Sequence, residues 1–196
     1  MTTNRTRSFA AVAAIAVGVS LTACSQDAET TPTAATSAVT STSSAAASTT
    51  EPVPTDSSDK TSAAGTESKL TVVDIRVGEH DGFDRVVYEM GGTGTPGWRV
   101  KYVDAATQEG SGKPVDIQGA AVIQVLIDGS AYPFDSGVEQ YSGPNPVPGV
   151  GGVVTEVNGS NVFEGVTQSF IGVTEKQPFT VTTLSDPPRV VVDVAR

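Results

Sequence analysis

From residue 70 onward, apolar and polar positions follow one another in short strand-like runs. Leu70-Thr71-Val72-Val73-Asp74-Ile75-Arg76-Val77 is β-branched and nearly alternates. Arg85-Val86-Val87-Tyr88-Glu89-Met90 follows it across Gly78-Glu79-His80-Asp81-Gly82, which reads as the turn of a hairpin. Trp98-Arg99-Val100-Lys101-Tyr102-Val103 sets apolar against basic residues, predicting one buried and one wet face. Runs at 121–128, 153–157, 162–173, 179–184 and 189–194 complete about eight predicted strands. No stretch keeps a helical period, and turn residues recur throughout. The pattern predicts an all-β fold, an antiparallel β-sandwich or barrel.

One connection breaks the rhythm. Residues 129–152 hold six Gly and four Pro among 24 residues, interleaved with Tyr132, Phe134 and Tyr141. Long loops inside a compact domain are usually functional or disordered, and three aromatic rings favour an ordered one.

The chain before residue 69 reads differently. Residues 1–23 carry Arg5 and Arg7, an apolar run from Phe9 to Val19, and small residues up to Cys24, the pattern of a secretory signal. The run is too short and too alanine-rich for a comfortable membrane span. Residues 24–68 then form the expected linker: of the 44 residues after Cys24, 30 are Ser, Thr or Ala, and only Val39 and Val53 are larger aliphatics. Such a segment buries too little apolar surface to offset chain entropy, so it is expected to be disordered. The folded domain is expected at 69–196.

Composition narrows the chemistry. The net charge of −10 argues against an electrostatic grip on nucleic acid. One Cys excludes an internal disulfide and a multi-Cys zinc site, and one His excludes sites built on several imidazoles. His80 is the only possible imidazole base, and no Gly-x-Ser-x-Gly turn accompanies it. Glu79, Asp81 and Asp84 lack the ligand spacing of a calcium loop, and Asp84-Arg85 reads as a surface pair. No metal, cofactor or catalytic residue is assigned, and no enzyme activity is expected. The candidate ligand-binding residues are the aromatics in predicted loops, Phe83, Tyr132, Phe134 and Tyr141, because exposed rings grip sugars and peptides. Trp98, on a cleanly alternating strand, is expected in the core.

Two resemblances add to this reading. Leu21-Thr22-Ala23-Cys24 resembles the bacterial lipobox, which implies diacylglyceryl transfer to the Cys24 thiol and cleavage before it. His80-Asp81-Gly82-Phe83-Asp84-Arg85-Val86-Val87-Tyr88-Glu89, with Pro96-Gly97-Trp98-Arg99-Val100, Tyr132-Pro133 and Pro188-Arg189-Val190-Val191-Val192-Asp193-Val194, resembles the AMIN-like domain of actinobacterial envelope lipoproteins. The resemblance implies a non-catalytic β-sandwich on the extracytoplasmic face of the cell membrane, anchored by lipid on Cys24 and touching peptidoglycan or another wall glycan. The alternative is a protein-interaction scaffold that docks onto an envelope enzyme or transporter, by a loop or by strand addition at a sheet edge.

Overall fold

The computed structural model describes residues 51–196; Cys24, the signal segment and the first part of the expected linker lie outside them. Ten strands and one helical turn follow in order: β1 (Lys60–Ser62), β2 (Lys69–His80), β3 (Phe83–Thr93), β4 (Gly97–Val103), β5 (Ala121–Asp128), α1 (Pro133–Ser136), β6 (Val147–Pro148), β7 (Val154–Phe163), β8 (Val166–Val173), β9 (Phe179–Leu184) and β10 (Arg189–Ala195). They build two antiparallel sheets, one ordered β1-β4-β5-β8-β7-β6 and the other β2-β3-β10-β9. The expected all-β sandwich is therefore what the chain forms. All eight predicted runs are strands, with one redrawn boundary. The run at 162–173 crosses a tight turn at Glu164 and Gly165, both at positive φ, so Val162 and Phe163 finish β7 and Val166 opens β8.

Alternation explains the core. Trp98 and Val100 of β4, Ile123, Val125 and Ile127 of β5, and Ile171 and Val173 of β8 face Val86, Tyr88 and Met90 of β3 and Val190, Val192 and Val194 of β10. The period of two along each strand puts these residues on the inner faces. A register shift between Val72 and Asp74 moves β2 from Leu70 and Val72 to Ile75 without losing its inner face. Trp98 is in the core as expected, its indole N–H donating to Thr183 Oγ1 at 3.0 Å. Tyr88 is fully buried, and its hydroxyl lies 3.0 Å from Ser169 Oγ across the two sheets. Burial holds that phenol well above its usual titration range.

The expected linker boundary is corrected. Residues 51–68 are part of the fold, because backbone pairing and a few bulky side chains hold them where their composition alone does not. β1 pairs with β4, Lys60 opposite Val100 and Ser62 opposite Trp98. Pro54 is buried, Phe179 N–H donates to Asp56 O at 2.9 Å, and the Lys60 ammonium sits 4.9 Å over the Phe179 ring. Glu51 reaches Arg85 at 3.0 Å. This strap crosses the outer face of the four-stranded sheet and rounds the β9 side to join the edge of the other sheet.

At the same end, Asp84 does not pair with Arg85. Neighbours on a strand point to opposite faces, so Asp84 shares the inward side with Val86 and Tyr88, while Arg85 points outward. The Asp84 carboxylate is completely buried, accepts the Val154 N–H at 2.9 Å and takes the Arg196 guanidinium Nε–H at 2.7 Å. Outside, Arg85 holds Asp193 through two hydrogen bonds of 2.7 and 2.8 Å across the β3–β10 ladder. Gly152 is required here, since a Cβ on it would lie 2.2 Å from Asp84 Oδ2. Gly152→Ala is expected to lower stability by about 1–3 kcal/mol through forced displacement, read as a drop in the urea midpoint with unchanged slope.

Candidate functional site

The most exposed aromatic surface is built on the 129–138 segment, at the end of the sandwich opposite Glu51. Ser130 Oγ donates to Ile127 O at 2.9 Å and receives Thr167 Oγ1 at 2.8 Å, while Ser130 N–H donates to Gly165 O. Ala131 N–H donates to Leu70 O at 2.7 Å, and Thr71 Oγ1 donates back to Ala131 O at 2.8 Å. Both sheets thus grip the segment before it reaches the rings.

Pro133 opens α1 at the position where its missing N–H costs nothing. Asp135 and Ser136 donate to Tyr132 O, and Gly137, at φ 77, ends the turn in the left-handed conformation with its N–H on Pro133 O. The Ser136 hydroxyl lies 2.6 Å from Thr71 Oγ1, which ties the helical turn to β2. On this pedestal the Tyr132 and Phe134 rings stack 5.4 Å apart and 7° from parallel. They are 41% and 82% exposed. The result is a raised platform of two nearly parallel rings.

The other two expected aromatics lie elsewhere. Phe83 is 1% exposed and opens β3 at the opposite end. Its ring stacks on His80 at 5.0 Å and the Arg85 guanidinium lies 5.2 Å from it, while the Glu51 carboxylate lies 3.0 Å from that guanidinium and 3.6 Å from His80 Nδ1. Phe83 is corrected from an exposed loop ring to a covered strand residue, because it opens β3 and the His80 ring and Arg85 guanidinium close over it. Tyr141 is half-buried beside β2, its N–H on Val72 O and its hydroxyl donating to Pro144 O at 2.8 Å. Burial and the nearby Asp74 charge push its phenol up. The four rings therefore make one pair and two structural positions.

The basic residues of β4 also stand apart from the platform. Arg99 and Lys101 line a cavity of about 330 Å³ on the outer face of the six-stranded sheet, with Thr61, Gln124 and Leu126. Arg99 is already held by Asp128 through bonds of 3.0 and 2.8 Å. Further along this face the 104–120 loop is anchored by Gln168 Nε2 on Thr107 O and Asn158 Nδ2 on Asp116 O.

His80 Nδ1 faces Glu51 at 3.6 Å. Glu79 and Asp84 are both engaged by Arg196, which holds the Glu79 carboxyl below its usual range. Among the described residues no three His, Cys, Asp or Glu side chains gather as metal ligands.

Residue parity would have found the inward Asp84 from sequence, since it keeps step with Val86, Tyr88 and Met90. The strap had no such signal beyond Pro52-Val53-Pro54, the least flexible part of a Ser/Thr-rich segment.

The family model for the AMIN-like domain matches residues 70–196. No curated protein and no solved structure matches the chain. The two strands that carry the sequence resemblance, β3 and β10, are neighbours, and Arg85 and Asp193 are partners across them. The match spans well over half of the sequence, and the chain belongs to the AMIN-like domain family.

Proposed function

We propose that this protein is a lipid-anchored component on the extracytoplasmic face of the cell membrane, whose AMIN-like domain binds peptidoglycan or another wall glycan without catalysis. The observation that carries the reading is the Tyr132–Phe134 platform. Two exposed apolar rings on a turn fixed by hydrogen bonds cost little entropy to order on binding, because they are already in place. The free face of Phe134 offers an electron-rich surface to the C–H face of a sugar ring. Recognition through rings also suits a chain with a net charge of −10, which repels anionic polymers as a whole.

The lipobox-like Leu21-Thr22-Ala23-Cys24 supports the anchor. With residues 51–68 on the domain, 26 residues separate Cys24 from Glu51. The full chain is expected to pellet with insoluble wall sacculi at physiological salt. Replacing Tyr132 and Phe134 together by alanine is expected to weaken that binding by about tenfold or more. The thermal midpoint should hold, since neither ring belongs to the core. Pelleting no greater than a protein control, or equal for the double variant, would refute the reading.

A further inference from the structure

The two sheets have four edges, and three are blunted against pairing with another chain. β1 has three residues, and β6 has two and includes Pro148. β2 carries the shift at Val72/Asp74, is bonded along its first part by Gly129, Ala131 and Tyr141, and bears Asp74, Arg76 and Glu79 beyond that. Short length, proline, irregularity and charge are the usual ways of closing an edge. β9 has none of these. Phe179-Thr180-Val181-Thr182-Thr183-Leu184 is uncharged, free of proline and unshifted in register against β10.

The hydrogen-bond phase of β9 follows from two contacts. Ala195 N–H donates to Pro178 O at 2.9 Å, so the pairs Asp193–Thr180 and Val191–Thr182, two residues apart, carry the ladder bonds to β10. Phe179 N–H points the other way, to Asp56 O at 2.9 Å. Val181 and Thr183 share the phase of Phe179 and direct both backbone groups away from the sheet. Among the described residues no backbone hydrogen bond engages them.

A cavity of about 670 Å³ runs beside this edge on the outer face of the sheet. Thr180, Thr182 and Leu184 form its floor, and the strap residues 51–55 form its wall. At its head the single Arg85 guanidinium serves two carboxylates, Asp193 and Glu51. One negative charge is left over. Residues 51–196 carry the whole net charge of −10, which sets two copies of the domain against each other.

We infer that β9 is a docking edge for an extended basic peptide segment of another protein. The segment adds as a fifth strand to the β2-β3-β10-β9 sheet. It bonds to the outward groups of Val181 and Thr183 and lays a Lys or Arg side chain into the groove toward Glu51 and Asp193. This surface is separate from the Tyr132–Phe134 platform, so either can fail without the other.

The test uses the full chain in detergent with three synthetic peptides. They are acetyl-Lys-Thr-Val-Thr-Val-Lys-amide, its acidic counterpart with Glu in place of both Lys, and the basic peptide with alternate backbone nitrogens methylated. The basic peptide is expected to bind and to shift the amide resonances of Val181, Thr183 and the Arg85 side chain. N-methylation on the bonding side is expected to weaken it by about tenfold or more, and the acidic peptide by a similar factor. Val181→Pro removes an outward N–H while sparing the ladder to β10, and should abolish binding with Trp98 fluorescence unchanged. If that variant misfolds, the methylated peptide still decides. Absence of binding at millimolar peptide, indifference to charge or to N-methylation, shifts outside β9, or self-association through Val181 and Thr183 would each overturn the inference.

Discussion

A chain beginning at Lys69 is expected to be less stable than one beginning at Glu51 by about 4 kcal/mol. The sum has four physical parts. The buried Pro54 loses its seat, and the Phe179 ring loses cover from Lys60. β4 loses its neighbour β1, and Phe179 N–H loses Asp56 O. For a domain of this size that corresponds to a fall of about 8–16 °C in the thermal midpoint, measurable by calorimetry. Equal midpoints for the two chains would show that the strap merely lies on the sheet. Supplying residues 51–68 as a separate peptide is expected to restore part of the difference, because the strap binds only the folded form.

The second large effect belongs to Asp84. Asp84→Ala removes the acceptor of the buried Val154 N–H and empties the space against Gly152, at an expected cost of about 3 kcal/mol. Asp84→Asn keeps the volume and one acceptor oxygen, so it should recover about half of that loss. Urea titration monitored by Trp98 fluorescence separates the two variants. A loss under about 0.5 kcal/mol for the alanine variant would mean that water replaces the carboxylate. The amide exchange of Val154 should accelerate with the same ranking, since its opening reports this end of the sandwich.

Where backbone pairing follows side-chain alternation, residue order was enough to read the fold. Val86, Tyr88 and Met90 alternate with Arg85, Val87 and Glu89, and the strand is where that period places it. The reading failed where one part of the chain covers another. Phe83 follows a turn glycine and looks like a loop ring, yet it opens β3 under the His80 ring and the Arg85 guanidinium, which Glu51 and Asp193 hold in place. Those neighbours are local, but the carboxylates that hold Arg85 come from distant parts of the chain. The strap itself is low in apolar content, and its order comes from β4, which lies some 40 positions away. Of the candidate site, Tyr132-Pro133-Phe134 was legible because proline and glycine bracket the aromatics. Their mutual stacking and their separation from Phe83 and Tyr141 depend on which ends of the sheets the loops join.

The strap and the aromatic platform sit at opposite ends of the sandwich, and this has a mechanical meaning. β1 runs from the Glu51 end toward the platform end, side by side with β4. A pull on the chain at Glu51, resisted at Phe134, loads the β1–β4 ladder lengthwise, so its hydrogen bonds are sheared together instead of being unzipped one at a time. Arg85 holds the strap's first residue and is itself clamped to Asp193, so the force reaches the four-stranded sheet as well. A domain stretched between a membrane and a wall would meet tension along its most resistant axis.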